Sequence, residues 1–228
     1  METTTHRDAE IGDAPAPSER PLHPLTRHLV LGAPRPLLSR SDERRLGRRH
    51  QEVLDHLERH LLAGGFADAT ISDLAALAGC SRRTLYDLAP SKDQLVLVVI
   101  DRYLHKKGRA ALAAIDHDGS YDRRIRTYLS GGVTFAWENR LADDLADHSP
   151  ARRLVDHHYR FVMTVVERLV AKGIEAGEFR EVDPAVVAAT ITGATLYIDE
   201  PDMVERLGLD ASDLLEQILD LVLPSLAR

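Results

Sequence analysis

The stretch TISDLAALAGCSRRTLYDLAPSKDQL, Thr70 to Leu95, carries three helix starts in one short run. Thr70, Ser81 and Ser91 each offer a side-chain oxygen to a backbone N–H near the start of a helix. Asp73 and Gln94 stand three residues after Thr70 and Ser91, the spacing of a capping box. Gly79 ends the first helix, and Pro90 keeps the second from running into the third. Punctuation this dense is met by short helices crossing steeply over tight turns.

Such a crossing needs a small residue at the point of contact, a residue tolerant of left-handed backbone in the turn, and apolar inner faces. Ala75 supplies the first and Gly79 the second. Leu74, Ala78, Cys80, Leu85 and Leu88 supply the inner faces, which leaves Arg82, Arg83, Thr84, Tyr86 and Asp87 outward on the second helix. A helix with that outer face fits the major groove of DNA, where Arg pairs bidentately with guanine and Thr meets a thymine methyl or a phosphate. An isolated Arg-Arg pair is ordinarily a solvated surface feature. Here its place at the helix start favours base reading.

Charge limits how such binding works. Against 29 Lys and Arg stand 36 Asp and Glu, a formal net charge of −7, so DNA must be met by a local basic face rather than by the whole surface. A single cysteine excludes an intramolecular disulfide, and no run approaches the roughly 20 apolar residues of a membrane span. A reducing, cytoplasmic setting without a membrane partner is expected. Residues 1–40, with Pro15, Pro17, Pro21, Pro24, Pro34 and Pro36, read as a disordered, mobile arm. Arg27, Arg35 and Arg40 would let that arm touch a DNA backbone or minor groove. From Ser41, taken as a cap, a helix carries Leu46, Val53, Leu54, Leu57 and Leu61 at the helical period until Gly64-Gly65. No strand-like alternation follows, so the fold class is all-α.

The segment from about Arg48 to Leu95 resembles the N-terminal DNA-binding domain of the TetR family of transcriptional regulators. The residues that carry the resemblance are Gly65-Phe66, TISDLA from Thr70 to Ala75, Ala78-Gly79, Ser81, TLY from Thr84 to Tyr86, and PSKDQL from Pro90 to Leu95. The resemblance implies that Tyr86 and Lys92 grip phosphates, with Thr70 adding its hydroxyl or helix N-terminus. Backbone N–H groups at a helix start and a lysine point charge suit that role, which positions rather than specifies. The chain departs from the family where Arg83 replaces a usual glycine, Leu88 a histidine or tyrosine, and Ala89 a large apolar residue. Leu88 donates no hydrogen bond, so no phosphate role passes to it.

The expected architecture is a three-helix helix-turn-helix domain joined by a buried fourth helix to a larger ligand-binding and dimerisation domain, with boundaries at 41–106 and 107–228. LVLVVIDRYL, Leu95 to Leu104, is apolar nearly all round and so should lie between two bodies. Later helices are expected at Tyr121 to Glu138, Ala151 to Glu175, Pro184 to Tyr197 and Ser212 to Leu223, with starts at Ser149-Pro150, Asp183-Pro184 and Ala211-Ser212. The last two are the candidates for a homodimer: one carries Ala188, Ala189, Gly193 and Ala194, the other a stripe of Leu214, Leu215, Ile218, Leu221 and Val222. Packing within one subunit would use the same stripes.

Tyr128, Phe135 and Trp137, with His158, Tyr159 and Val162, mix aromatic and polar groups as pocket walls do and are the candidates for binding a small-molecule effector. A core role for His158 is the competing reading. Gly131-Gly132 implies a kink, room for a ligand, or close packing. No metal or other cofactor is expected, since His157 and His158 project about 100° apart on a helix. Cys80, facing inward, reads as a small apolar residue. The chain therefore reads as a TetR-type one-component regulator, expected to be a repressor that binds a pseudo-palindromic double-stranded operator as a dimer and leaves it when the effector binds. Two rival classes stand beside it. One is a helical dimer that has lost DNA binding and serves as a ligand or partner module. The other is a hydrolase built around Asp143, Asp144, His148 and His157, for which helix spacing shows no convergent acid-base geometry.

Overall fold

The computed structural model describes residues 29, 32–132, 141, 144–145, 147–198 and 206–228. Among these the chain is helical, with one isolated antiparallel bridge, Phe179 to Ala227. The helices are α1 (Arg40–Arg45), α2 (Arg48–Gly64), α3 (Ile71–Leu77), α4 (Arg82–Leu88), α5 (Lys92–Ala114), α6 (Tyr121–Ser130), α7 (Ser149–Glu175), α8 (Pro184–Ile198) and α9 (Ala211–Val222). A short 3-10 turn, Leu223–Leu226, closes the chain.

The caps of the short helices fall where side-chain chemistry puts them. Thr70 and Asp73 form a complete capping box on α3, Ser81 caps α4 through the Thr84 N–H, and Ser91 caps α5 through the Gln94 N–H. Three expected starts move by one or two residues. Ser39, not Ser41, caps the first helix, and that helix breaks at Leu46-Gly47 before α2 begins. His148 Nδ1 caps α7 in place of Ser149, with Pro150 inside its first turn, and Asp210 caps α9 in place of Ala211-Ser212. In each case the residue just upstream has its side-chain acceptor on the N–H three residues on. The helix expected from Tyr121 to Glu138 is described only to Ser130, and residues 133–140 lie outside the described set.

Two apolar clusters organise the molecule. One gathers Val53, Leu54, Leu57 and Leu61 of α2 with Leu74, Ala75, Leu85 and the first half of α5. The other gathers Ala111 and Leu112 at the end of α5 with Ile125, Val165, Val166, Ile191, Leu215 and Leu219. Helix α5 therefore contributes to both, and it runs unbroken across the expected boundary at residue 106. Leu141, Leu145, Ala151 and Tyr159 pack into the first cluster, so the larger body reaches back onto the helix-turn-helix.

Close approach of α6 to α5 accounts for Gly131-Gly132. A Cβ on Gly131 would lie 2.5 Å from the Ala114 Cβ, and one on Gly132 would lie 2.7 Å from the Lys107 carbonyl oxygen. Packing against α5 is thus the reason for the pair. The arm is also tied down at its end: the Leu29 carbonyl accepts from Arg168 at 2.6 Å, and the Leu37 N–H donates to Asp101 at 2.8 Å. Among the described residues no helix is long and apolar enough to cross a membrane.

A charge network fastens α5 to α2. Arg102, with 11% of its side chain exposed, donates to Glu43, Asp55 and Glu58, and Lys106 donates to Glu58 at 2.8 Å. Burial pulls the Arg102 pKa down, but the bonds and charges of Glu43 and Asp55 more than offset it. Replacing Arg102 by Ala leaves Glu58, 10% exposed, with Lys106 alone. Because Asp55 is half-exposed, the loss should fall below that of a fully buried pair, about 2 kcal/mol. Thermal melts of Arg102→Ala should show a midpoint lower by roughly 4–8 °C; an unchanged midpoint would remove the network from the account of stability.

Candidate nucleic-acid interface

Helices α3 and α4 meet over the turn Ala78-Gly79-Cys80. Gly79 has φ +60°, in the left-handed region that glycine enters without steric cost. Its N–H bonds back to Ala76, and the Cys80 N–H bonds to Ala75 at 2.9 Å, which closes the end of α3. Arg49 of α2 donates to the Gly79 carbonyl and so props the turn from behind. Leu74, Ala75, Ala78 and Leu85 are buried between the two helices, while Cys80 and Leu88 are only partly covered. Burial pushes the Cys80 thiol up, against a smaller opposing effect of the Arg49 charge. Such a thiol is a poor redox sensor.

This packing turns one face of α4 outward. Arg82 and Arg83 are exposed and have no ion-pair partner among the described residues, and Tyr86 is 51% exposed. Thr84 is half-buried, its hydroxyl 3.0 Å from the Ser81 hydroxyl within the cap. Leu88 packs partly on the core and Ala89 is buried at the end of the helix, so both departures lie on the inner side. Among the basic residues of α1 and α2, Arg45 pairs with Asp42 and Arg48 with Glu52 at 3.0 Å. Exposed pairs of this kind are weak and give way readily to a phosphate.

Two of the expected phosphate contacts already have other partners. The Thr70 hydroxyl donates to Asp73 at 2.6 Å and the Thr70 N–H to the same oxygen at 2.8 Å. These bonds hold the Asp73 carboxyl below its ordinary pKa. A phosphate at Thr70 must take one of these donors from Asp73. Lys92, half-buried at the start of α5, donates to the Ala67 carbonyl at 2.9 Å. Its ammonium keeps further protons for an anion.

The loop that receives Lys92 is gripped from the other side as well. Asp144 accepts from the Phe66 and Ala67 N–H groups, the latter at 2.8 Å, and the His148 ring stands edge-on to Phe66 at 5.5 Å. Residues 66–67 thus sit between α5 and the larger body. Asp144 and His148, candidates for an acid-base set by residue type, instead form a clamp on this loop. The only sequence signal for this was the Gly65-Phe66 pair, which marks the loop but not its partner. Asp143 lies outside the described residues.

The six candidate effector residues separate. Tyr128 is 1% exposed in the core of the larger body, where burial pushes its hydroxyl pKa up. Val162 packs in the same cluster, and Tyr159 in the one beneath the helix-turn-helix. Phe135 and Trp137 lie outside the described residues. His158 meets His105 ring to ring at 4.8 Å, with Asp101 beside them. These three form, among the described residues, the one group able to hold a metal ion. One nitrogen or oxygen of each is buried without a hydrogen-bond partner, which typically costs about 1–3 kcal/mol per group. A separate cleft of about 290 Å³ is lined by Leu29, Ile115, Tyr121, Arg124, Arg168 and Lys172 among others. Arg124 stacks on the Tyr121 ring at 4.3 Å there. None of the four described candidates lines it.

Two family descriptions match this chain: "Bacterial regulatory proteins, tetR family" over residues 54–99, and "Tetracyclin repressor-like, C-terminal domain" over residues 148–217. No curated protein sequence matches. Solved structures share the fold at low identity. AibR in complex with isovaleryl coenzyme A and operator DNA is 20% identical, with a TM-score of 0.58, over 78% of this chain and 99% of that one. A putative transcriptional regulator from Saccharomonospora viridis in complex with choline is 16% identical, with a TM-score of 0.65, over 78% and 97%. SmeT, the repressor of the Stenotrophomonas maltophilia multidrug efflux pump SmeDEF, is 18% identical, with a TM-score of 0.63, over 78% and 90%.

The clamp on residues 66–67 can be tested alone. Asp144→Ala strands two backbone N–H groups, one of them buried in a residue that is 4% exposed. A loss of about 2 kcal/mol in denaturant unfolding is expected, with hydrogen exchange at residues 66–69 accelerated. Unchanged exchange there would show that Lys92 alone holds the loop.

Proposed function

Because the chain belongs to the TetR family of bacterial transcriptional regulators, we propose that it is a dimeric repressor that reads a pseudo-palindromic operator with α4 and is released by a small-molecule effector. The observation that carries the DNA reading is the exposed pair Arg82 and Arg83 on a short helix whose Leu85 is fully buried. Burial of Leu85 fixes the roll of the helix, and the roll aims both guanidinium groups away from the core.

In this reading Arg82 and Arg83 meet base edges, Thr84 and Tyr86 flank them, and Lys92 with Thr70 holds the backbone. Each contact has a different cost. Arg82 and Arg83 break no ion pair with a described residue on binding, whereas Thr70 exchanges a bond to Asp73 for one to phosphate. The site of action is then the cytoplasm, where the operator lies.

The dimer is proposed through α8 and α9. Their inner faces, Val187, Ala188, Ile191, Leu214, Leu215 and Leu219, are buried within the subunit. Their outer faces keep Val186 at 61% exposure, Leu196 at 45% and Leu221 at 78%, and Gly193 has open space where its Cβ would be. Exposed apolar residues beside a small one suit a close helix-helix contact across a two-fold axis. AibR and the Saccharomonospora viridis regulator were each solved with a bound small molecule, which supports an effector-responsive body here.

Selection of bound duplexes from fragmented source-genome DNA at about 150 mM salt, where non-specific attraction is weak, tests the reading. One or a few palindromic sites are expected; nothing above background from folded dimer would favour a partner-binding module. On the recovered site, Arg83→Ala should cost about 1–3 kcal/mol and relax preference at its base, while Lys92→Ala should weaken all duplexes alike and flatten the salt slope. Equal loss on cognate and random duplex for Arg83→Ala would count against base reading. For the dimer, sedimentation of Leu196→Glu and Leu221→Glu should give monomer at micromolar concentration; unchanged dimer in both would place the interface elsewhere.

A further inference from the structure

Asp101 and His105 stand four residues apart on α5, so they share one face of that helix. His158 reaches them from α7. The Asp101 Oδ1 and His105 Nε2 atoms are 3.5 Å apart, and the donor atoms of all three residues lie within 4.8 Å of one another. A tetrahedral ion with bonds of about 2.1 Å separates its ligand atoms by roughly 3.4 Å. The first pair already has that spacing, and the third ligand atom lies within 4.8 Å of both.

The remaining atoms of two of these side chains are held as a ligand set requires. Asp101 Oδ2 accepts from the Leu37 N–H at 2.8 Å, which leaves Oδ1 turned toward the histidines. His158 Nδ1 faces the Leu154 carbonyl at 3.1 Å and must donate to it, so its Nε2 carries the lone pair. Asp101 Oδ1, His105 Nε2 and His158 Nε2 are all buried and all lack a hydrogen-bond partner. Asp101 Oδ1 and His158 Nε2 are acceptors here, and His105 Nε2 joins them in the tautomer that turns its lone pair inward. A dication satisfies all three at once.

We propose that Asp101, His105 and His158 bind one divalent transition-metal ion of the zinc, nickel or cobalt class, and that the ion clamps α5 to α7. Two imidazoles and a carboxylate suit that class, and the partial exposure of His105 leaves a route for the ion and for a completing water. Burial pushes Asp101 up to about 6; burial, the His158 ring and the Arg109 charge push His105 down to about 4. Burial also lowers His158.

A clamp here has a mechanical consequence, which rests on the regulator reading. The N-terminal end of α5 carries Lys92 and shares one apolar cluster with α4, while its C-terminal end packs in the larger body. Fixing α5 against α7 fixes the reading helix relative to the dimer face. The metal would then be an effector or co-effector that selects one arrangement.

The test uses the full chain, stripped with chelator, and Co²⁺ and Zn²⁺ as probes. Titration with Co²⁺ should give visible absorption saturating at one ion per chain, displaced by Zn²⁺. Asp101→Asn, His105→Gln and His158→Gln should each weaken binding at least tenfold while circular dichroism stays unchanged. His157→Gln, one residue away, should have no effect and controls for surface histidines. Absence of stoichiometric binding, or binding that survives all three substitutions, overturns the site. If a variant unfolds, X-ray absorption of the zinc-loaded wild-type chain decides the matter instead: a nitrogen and oxygen shell with imidazole scattering supports the site and its absence overturns it. Operator affinity is then compared with Zn²⁺ and with chelator. At least a fivefold change, absent in His105→Gln, supports the clamp; no change overturns the regulatory clause and leaves DNA reading, which is measured without metal, standing.

Discussion

Burial of α5 on both sides is the constraint on which the rest of the structure depends. Its first half closes the core beneath α2, α3 and α4, and its last turns enter the core shared by α6, α7, α8 and α9. A helix that belongs to two cores cannot shift in one without disturbing the other, because close-packed interiors have few intermediate arrangements. Helix α5 therefore joins the helix-turn-helix to the larger body through packed cores rather than through a loose tether.

Several polar contacts serve this helix. Arg102 and Lys106 bind it to the acidic residues of α1 and α2, and Lys92 binds it to the loop at Ala67. Asp144 then ties that same loop to the larger body. The helix-turn-helix is thus held at three points: its core, its charged flank and its loop. Gly131 and Gly132 matter for the same reason, since α6 lies so close to α5 that no side chain fits between them.

The helix-turn-helix was legible in the sequence because its determinants are local. A cap and its acceptor lie three residues apart, the left-handed turn requires glycine, and the buried Leu85 repeats at the period of its neighbours. The starts of α1, α7 and α9 were displaced by one or two residues because Ser39, His148 and Asp210 compete with the expected caps. Effector candidates fared differently. Aromatic and histidine residues on a helix face look the same in a core and in a pocket, and the fold put Tyr128 and Val162 in a core.

Sequence alone determined that the chain is all-α, where the short helix α4 begins and ends, and that Arg82, Arg83 and Tyr86 lie on its outer face, because all of these follow from hydrogen-bond and side-chain periods of a few residues. The tertiary structure alone decided what crosses between helices. Asp144 reaches Phe66 and Ala67 over 78 and 77 residues, Arg102 reaches Glu43 over 59, and His158 meets Asp101 and His105 from a different helix. Helical periodicity says which face a side chain occupies but not which helix lies opposite. That pairing is set by how the apolar stripes of the whole chain pack together.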